Sequence, residues 1–343
     1  MSNSTIREIF PLTSDADLDM MLPVYNTVWD ELNPQRSHIT GADYRSSINR
    51  SSIDTRHFVT IDDVGLANGL AVASHFVDGS NEHLQWLVLL VRPDARRRGI
   101  ARALLARAHE FAVDSGRSKM TAETFASMPD GALFAERIGA DIGMREDINF
   151  VDIDALDLPM LERWRGEGPS RAPGYEVLVW DDAYPPESYD ALARLVRIAE
   201  EDMPMEDLEF DPLETTADTI REWVANAEGV LEFITAVPRH IESGELVGFS
   251  ELIYRFSDPH TMQTALTVVH RDHRGYALGK WIKAAAILRG VERWPDAVRI
   301  KTENAHSNDA MLGINHEIGF EKRNTVLDYQ ASTDVIAAYL TRR

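Results

Sequence analysis

The sequence predicts two α/β domains related by duplication, each a central mixed sheet with helices packed against it. A chain of 343 residues is long enough to divide into two ordinary cores. Its 44% hydrophobic and 27% charged content is that of a folded globular chain. The same order of strands and helices runs twice along it, with an offset of about 178 residues from Arg96 to Arg274. The expected boundaries are an N-terminal domain at 1–155, a linker at 156–174 and a C-terminal domain at 175–343.

In the first half, residues 57–61 and 65–76 are β-branched and alternating, so they are expected as strands. Residues 84–91 (LQWLVLLV) are almost continuously apolar, as in a strand covered on both faces, and Pro93 ends them. From Gly99 to Val113 apolar residues recur at helical spacing among strong helix formers. A strand at 119–125 follows, then a helix at 132–138 that ends at Gly139, where glycine can take a left-handed cap. A strand at 148–153 is expected to close this half. Residues from about 154 to 173 read as a polar, helix-like stretch followed by the breakers of 166–174 (GEGPSRAPG), which have no periodicity, and together they mark the linker.

The second half opens with a strand at 175–180 and a helix at 188–198. Strands at 231–237, 246–254 and 263–269 come next, then the loop Arg271 to Gly275 and a helix at 276–291. A strand at 297–302 and a helix at 308–317, stopping at Gly319, complete the repeat.

Composition narrows the chemistry. The chain has no cysteine, which removes disulfides, thiolate metal sites and cysteine nucleophiles. A formal net charge of -21 weighs against a nucleic-acid partner and suits a cationic small molecule, although an acidic surface can also serve solubility alone. There is no apolar run of the roughly 18 residues a membrane span needs, and the first residues lack the pattern of a signal peptide. A cytoplasmic protein with no membrane partner is expected, as a monomer or homodimer. His270 and His273 lack a third ligand in register, so no metal is expected.

Each half sets a basic, glycine-bearing turn between an apolar strand and a helix N-terminus. Unpaired N–H groups of the first helical turn and the positive end of the helix dipole converge there, which favours a pyrophosphate. The turns are Arg96, Arg97, Arg98, Gly99, Ile100 and Ala101, and then Arg274, Gly275, Tyr276, Ala277, Leu278 and Gly279, with Lys280 after it. Gly275 to Lys280 is one residue short of a nucleotide-binding P-loop and Trp281 replaces the hydroxyl residue that would hold magnesium, so ATP is set aside.

These turns resemble the acetyl-CoA loop of the GNAT N-acetyltransferase superfamily, Arg/Gln-x-x-Gly-x-Gly/Ala. Arg96, Gly99 and Ala101 match it fully. Arg274 and Gly279 match its ends, with Ala277 at the place of the middle glycine. The segment 302–320, with Asn304, Asn308, Met311, Asn315 and Gly319, is similar to one found in bacterial two-domain members of the superfamily, such as mycothiol synthase. Its counterpart in the first half is the shorter 132–140.

The resemblance implies a duplicated acyl-CoA N-acyltransferase fold, with acetyl-CoA as cofactor. Its pantetheine would pair with the main chain of Leu89, Leu90 and Val91, or of Thr267, Val268 and Val269, as an added strand. A small amine would attack the thioester directly. Asn304 and Asn308 stand where the family contacts the cofactor. The tyrosine that many members use as acid is replaced by Ala135 and by Asn315, which can hydrogen-bond the thiolate or simply pack.

A base on the central strands is required, and Glu251 is the candidate, with Glu82 and His83 as alternatives. Residues 200–214 hold eight carboxylates in fifteen positions, either to attract a cationic amine or as a solvated loop. Catalysis is expected in the second half and cofactor retention in the first. The alternatives are a non-catalytic acyl-CoA sensor, suggested by the missing tyrosine, and a transferase of a longer acyl group.

Overall fold

The computed structural model describes residues 5–32 and 37–342. The chain runs β1 (Thr5–Ile9), α1 (Asp15–Leu32), α2 (Gly41–Ile48), β2 (Ile53–Ile61), β3 (Ala67–Phe76), β4 (Leu84–Val91), α3 (Ile100–Asp114), β5 (Lys119–Phe125), α4 (Pro129–Ile138) and β6 (Asp141–Asp152). It continues with α5 (Leu158–Arg171), β7 (Tyr175–Asp181), α6 (Tyr189–Asp202), α7 (Ala217–Ala227), β8 (Leu231–His240), β9 (Gly248–Arg255) and β10 (Thr261–Val269). The last elements are α8 (Leu278–Arg293), β11 (Arg299–Ala305), α9 (Asp309–Ile318), β12 (Glu321–Ser332) and α10 (Thr333–Thr341). Every element expected from the sequence is present within a few residues, except that the strand expected from 148 begins at Asp141. Beyond those expectations lie β1, α1, α2, α7, β12 and α10.

The chain forms two compact units that differ from its contiguous halves. The first comprises the chain up to Arg145, Met205–Asp211, and Asn324 onward; the second comprises Glu146–Pro204 and Pro212–Arg323. In the first, the strand order is β1-β2-β3-β4-β5-β12. The first four strands are antiparallel neighbours, β5 joins β4 in parallel, and β12 closes the sheet antiparallel to β5. In the second, the order is β7-β8-β9-β10-β11-β6, with the same alternation of pairings.

The strand expected at 148–153 to close the first half therefore does something else. It pairs with β11 in register from Arg299↔Asp152 to Ala305↔Glu146. The place beside β5 is taken by β12, from the far end of the sequence. A second correction concerns the expected linker, most of which is α5. Its Gly168 is buried against the Trp281 ring of α8, where a Cβ would fall 2.2 Å from the indole. The breaker permits close packing at that point rather than a loop.

In the first unit, α3 lays Leu104, Leu105 and Ala108 on one face of the sheet, and α1 and α2 bring Met21, Val24 and Tyr44 to the other. In the second unit, α8 buries Ile282, Ala284, Ala285 and Ile287 with Trp294, while α6 and α7 cover the opposite face through Leu192, Val196 and Ile220. Sandwiching each sheet between helices explains the near-continuous apolar strands at its centre.

Candidate functional site

In the first unit β4 and β5 pair only where Leu84–Trp86 meet Lys119–Thr121. Both strands continue, to Val91 and Phe125, without further pairing, so they part and leave an opening bordered on the β4 side by Leu89, Leu90 and Val91. β4 leads through a short 3-10 turn, Pro93–Ala95, into the basic loop. There Arg97 takes φ 64° and Gly99 φ 85°, both left-handed, and α3 starts at Ile100.

No side chain caps α3, so the amides of its first turn, Ile100 and Ala101 among them, are not claimed by a capping group. A Cβ at Gly99 would meet nothing within 4 Å, which leaves the approach to those amides clear. The arginine expected on the phosphate is committed elsewhere. Arg96 donates through Nε to the Val91 carbonyl at 3.2 Å, and its guanidinium pairs with Glu31. Arg98 donates to the Asp94 carbonyl at 2.9 Å, whereas no acceptor pairs with the exposed Arg97 among the described residues.

The second unit repeats the plan. β10 and β11 pair in parallel only over Thr261–Gln263 and Arg299–Lys301, then part, leaving Thr267, Val268 and Val269 along the opening. In the loop Gly275 takes φ 90° and Ala277 φ 58°, and α8 begins at Leu278 without a side-chain cap. The two loops thus share the same pair of left-handed positions, and each copy keeps its glycine at a different one. Ala277 does not disturb the loop; it adopts the conformation that Gly99 adopts in the other copy.

Arg274 donates to the Val269 carbonyl at 2.9 Å and pairs with Asp202, repeating the staple made by Arg96. Gly279 lies in the first turn of α8 near Ile314, Tyr276 is exposed, and Lys280 pairs with Glu317 at 2.5 Å. What both loops present is therefore main-chain N–H groups at an uncapped helix start, joined in the first by the Arg97 guanidinium.

On the face of the second sheet covered by α6 and α7, Glu251 of β9 accepts hydrogen bonds from the Tyr184 hydroxyl and from Thr235 Oγ1, the latter at 3.1 Å. Burial raises the Glu251 carboxyl above its ordinary range, against the lowering effect of those two donors. The neighbouring strand carries a bulge between Thr264 and Thr267, whose partners are Leu252 and Ser250, so the extra residues lie opposite Glu251. In the first unit the corresponding register pairs Val72 with His57, just as Glu251 pairs with Thr235. His57 is hydrogen-bonded to Tyr44 at 3.0 Å, and burial lowers its pKa to about 4.

Of the expected asparagines, Asn308 caps α9 by accepting from the Met311 amide at 3.3 Å. Asn315 is buried and donates to Asn304 at 2.6 Å, while its carbonyl oxygen accepts from the Lys283 ammonium. Lys283 is only 1% exposed, and burial lowers its pKa to about 7. No local pattern points to Tyr184, Thr235 or Lys283. The one hint for Lys283 was a lysine between Ile282 and three alanines, on a helix face that must be buried.

Other candidates have partners within the chain. The His83 ring lies 3.2 Å from the Glu209 carbonyl. Within the acidic stretch, Glu201 and Asp202 pair with Arg271, Glu209 with Lys119, Glu200 accepts from the Leu213 amide and Glu206 from that of Arg145. Of the loop histidines, His273 is hydrogen-bonded to Tyr175 at 2.8 Å and His270 accepts from the Asp272 amide at 3.3 Å.

Residues 22–140 match the family model of the acetyltransferase (GNAT) family. No curated protein sequence matches the chain. Among solved structures the chain is similar to a tandem GNAT protein from the clavulanic acid biosynthesis pathway, with TM-score 0.77 and 23% identity over 96% of this chain and 99% of that one. It is also similar to a GCN5-related N-acetyltransferase from Sphaerobacter thermophilus, with TM-score 0.65 and 12% identity over 96% of each chain. A fungal multi-domain GH3 beta-N-acetylglucosaminidase with a GCN5-related glucosamine N-acetyltransferase region matches at TM-score 0.66 and 14% identity, over 96% of this chain and 38% of that one. At these identities the solved structures speak to fold, and the match at 22–140 speaks to family. The chain therefore has the fold of the tandem GNAT proteins along nearly its whole length, and within its first half residues 22–140 match the acetyltransferase (GNAT) family model.

Proposed function

We propose that the chain is an acetyl-CoA-dependent N-acetyltransferase acting on a small amine, with the chemistry in the second unit and a cofactor-retaining role in the first. The observation that carries this reading is Glu251, a carboxylate raised by burial, held by Tyr184 and Thr235, and placed opposite a bulge in the strand that borders the β10–β11 opening. The first unit offers no equivalent, since Val72 stands at that register and His57 is held neutral.

The residues fit the cofactor: parted strands with main-chain groups along Leu89–Val91 and Thr267–Val269, and uncapped helix starts at Gly99 and Ala277. Arg97 adds a guanidinium in the first loop, while Arg96 and Arg274 hold their loops in shape. Bound acetyl-CoA supplies the activated acetyl group. Glu251 accepts the proton that the acceptor ammonium must lose, Tyr184 and Thr235 orient its carboxylate, and Asn315 takes the position of the missing tyrosine.

A cationic acceptor is supported by the net charge of -21 rather than by residues 200–214, most of whose carboxylates are engaged within the chain. A cytoplasmic location fits the use of acetyl-CoA; among the described residues no helix is long and apolar enough to cross a membrane. The test is thiol release from acetyl-, propionyl- and succinyl-CoA across a library of polyamines, aminoglycosides and neutral amines. Turnover with an amine that Glu251→Gln lowers by roughly 10²–10⁴, while cofactor binding persists, is the expected result. Tight cofactor binding with no acceptor consumed establishes the sensor reading instead.

A further inference from the structure

We propose that Lys283 is a positioning residue of the second unit: through Asn315 it fixes the Asn304 side-chain amide as a hydrogen-bond donor for a carbonyl oxygen of bound acyl-CoA. This rests on the reading of that unit as a cofactor site. As an ammonium, the form it holds below its lowered pKa of about 7, Lys283 has donors and no acceptor. Asn315 must then turn its carbonyl oxygen toward Nζ, as observed. Its NH2 is thereby directed to Asn304, which accepts through Oδ1 at 2.6 Å. The Asn304 oxygen is thus committed, and the group left over at the end of the chain is an NH2.

Asn304 is the sixth residue of β11 and lies beyond Lys301, where pairing with β10 has ended, so this donor belongs to the parted stretch of the strand. A donor on this strand, apart from the helix start proposed for the pyrophosphate, suits an amide or thioester carbonyl oxygen. Around Nζ the other neighbours are the Met311 sulfur at 4.0 Å and the Phe320 ring at 5.8 Å. A buried lysine with one amide partner is costly for stability alone, which favours a functional reason for keeping it. The first unit has no such relay: the sixth residue of α3 is Leu105, that of β5 is Thr124, and Ala135 stands four before Gly139, as Asn315 does before Gly319.

Titration calorimetry of the full chain with acetyl-CoA tests this, in an Ala101→Glu background that sets a carboxylate against the first loop so that binding reports on the second. Lys283→Met and Asn315→Asp should each weaken binding roughly tenfold, as expected for one lost hydrogen bond. Asn304→Ala should do the same, and Lys283→Met should add nothing to it. Asn315→Asp is the decisive variant. It retains shape and gains an ion pair with Lys283, so the melting temperature holds, yet it can no longer donate to Asn304. Parent-like affinity in Asn315→Asp or Lys283→Met overturns the relay while leaving the proposed function intact. No binding at all by the Ala101→Glu chain overturns the placement of the cofactor in the second unit, and the relay with it.

Discussion

Ala277 and Arg97 each hold a left-handed backbone that costs a residue with a Cβ about 1 kcal/mol or more. Glycine is offset partly by its unfolded-state entropy. Ala277→Gly is therefore expected to stabilise the chain by about 0.5 kcal/mol, read as a small rise in melting temperature; a fall would mean that the methyl group packs. For Glu251, the raised carboxyl must be deprotonated to act, so kcat/KM should rise with pH through its elevated pKa. Glu251→Gln should lower it by roughly 10²–10⁴ and remove that limb of the profile. Lys283 carries the opposite sign of perturbation, with a folded pKa of about 7 against 10.5 for the free group. Between those values the unfolded chain binds the extra proton, so stability should rise with pH across that window. Lys283→Met should abolish this slope, and an unchanged slope in the variant would refute the assignment. None of the partners behind these effects is local in sequence: Glu251 meets Tyr184 and Thr235, and Lys283 meets Asn315, across long separations.

Strand β4, helix α3 and their counterparts β10 and α8 are legible because a covered strand and an amphipathic helix leave periodic apolar patterns. The polar, helix-like start of α5 is legible, but its continuation to Arg171 is obscured because Gly166, Gly168 and Pro169 are locally indistinguishable from a linker. Only the Trp281 ring explains why a glycine is needed at 168. Gly168→Ala should thus cost about 1–3 kcal/mol through overpacking, although alanine is the better helix former. A stabilised Gly168→Ala protein in chemical denaturation would show that the helix tolerates the methyl by shifting. α2 and α7 escape a pattern reading for another reason. They are short, with 8 and 11 residues, and start from capping boxes at Thr40 with Asp43 and at Thr216 with Thr219.

At the scale of the whole molecule the consequence is the exchange of closing strands. A fragment of residues 1–155 lacks β12, whose Val326–Ser332 stretch pairs with the whole of β5, and α10, whose Ile336 joins the core beneath α3. It would expose β5 as an unpaired edge. The fragment 175–343 likewise lacks β6 and α5 of the second unit. Each fragment expressed alone is expected to aggregate or remain unfolded, and a soluble, cooperatively melting 1–155 would contradict that. The sequence by itself determined the repeated strand–loop–helix plan and the family resemblance carried by its two basic, glycine-bearing turns, because these depend on local periodicity and on a motif within a few residues. Only the tertiary structure decided which strand closes which sheet, that Arg96 and Arg274 staple their loops instead of standing free, and that Glu251 and Lys283 sit in buried networks. Those outcomes depend on pairing and desolvation between residues far apart in the chain, and no local pattern records them.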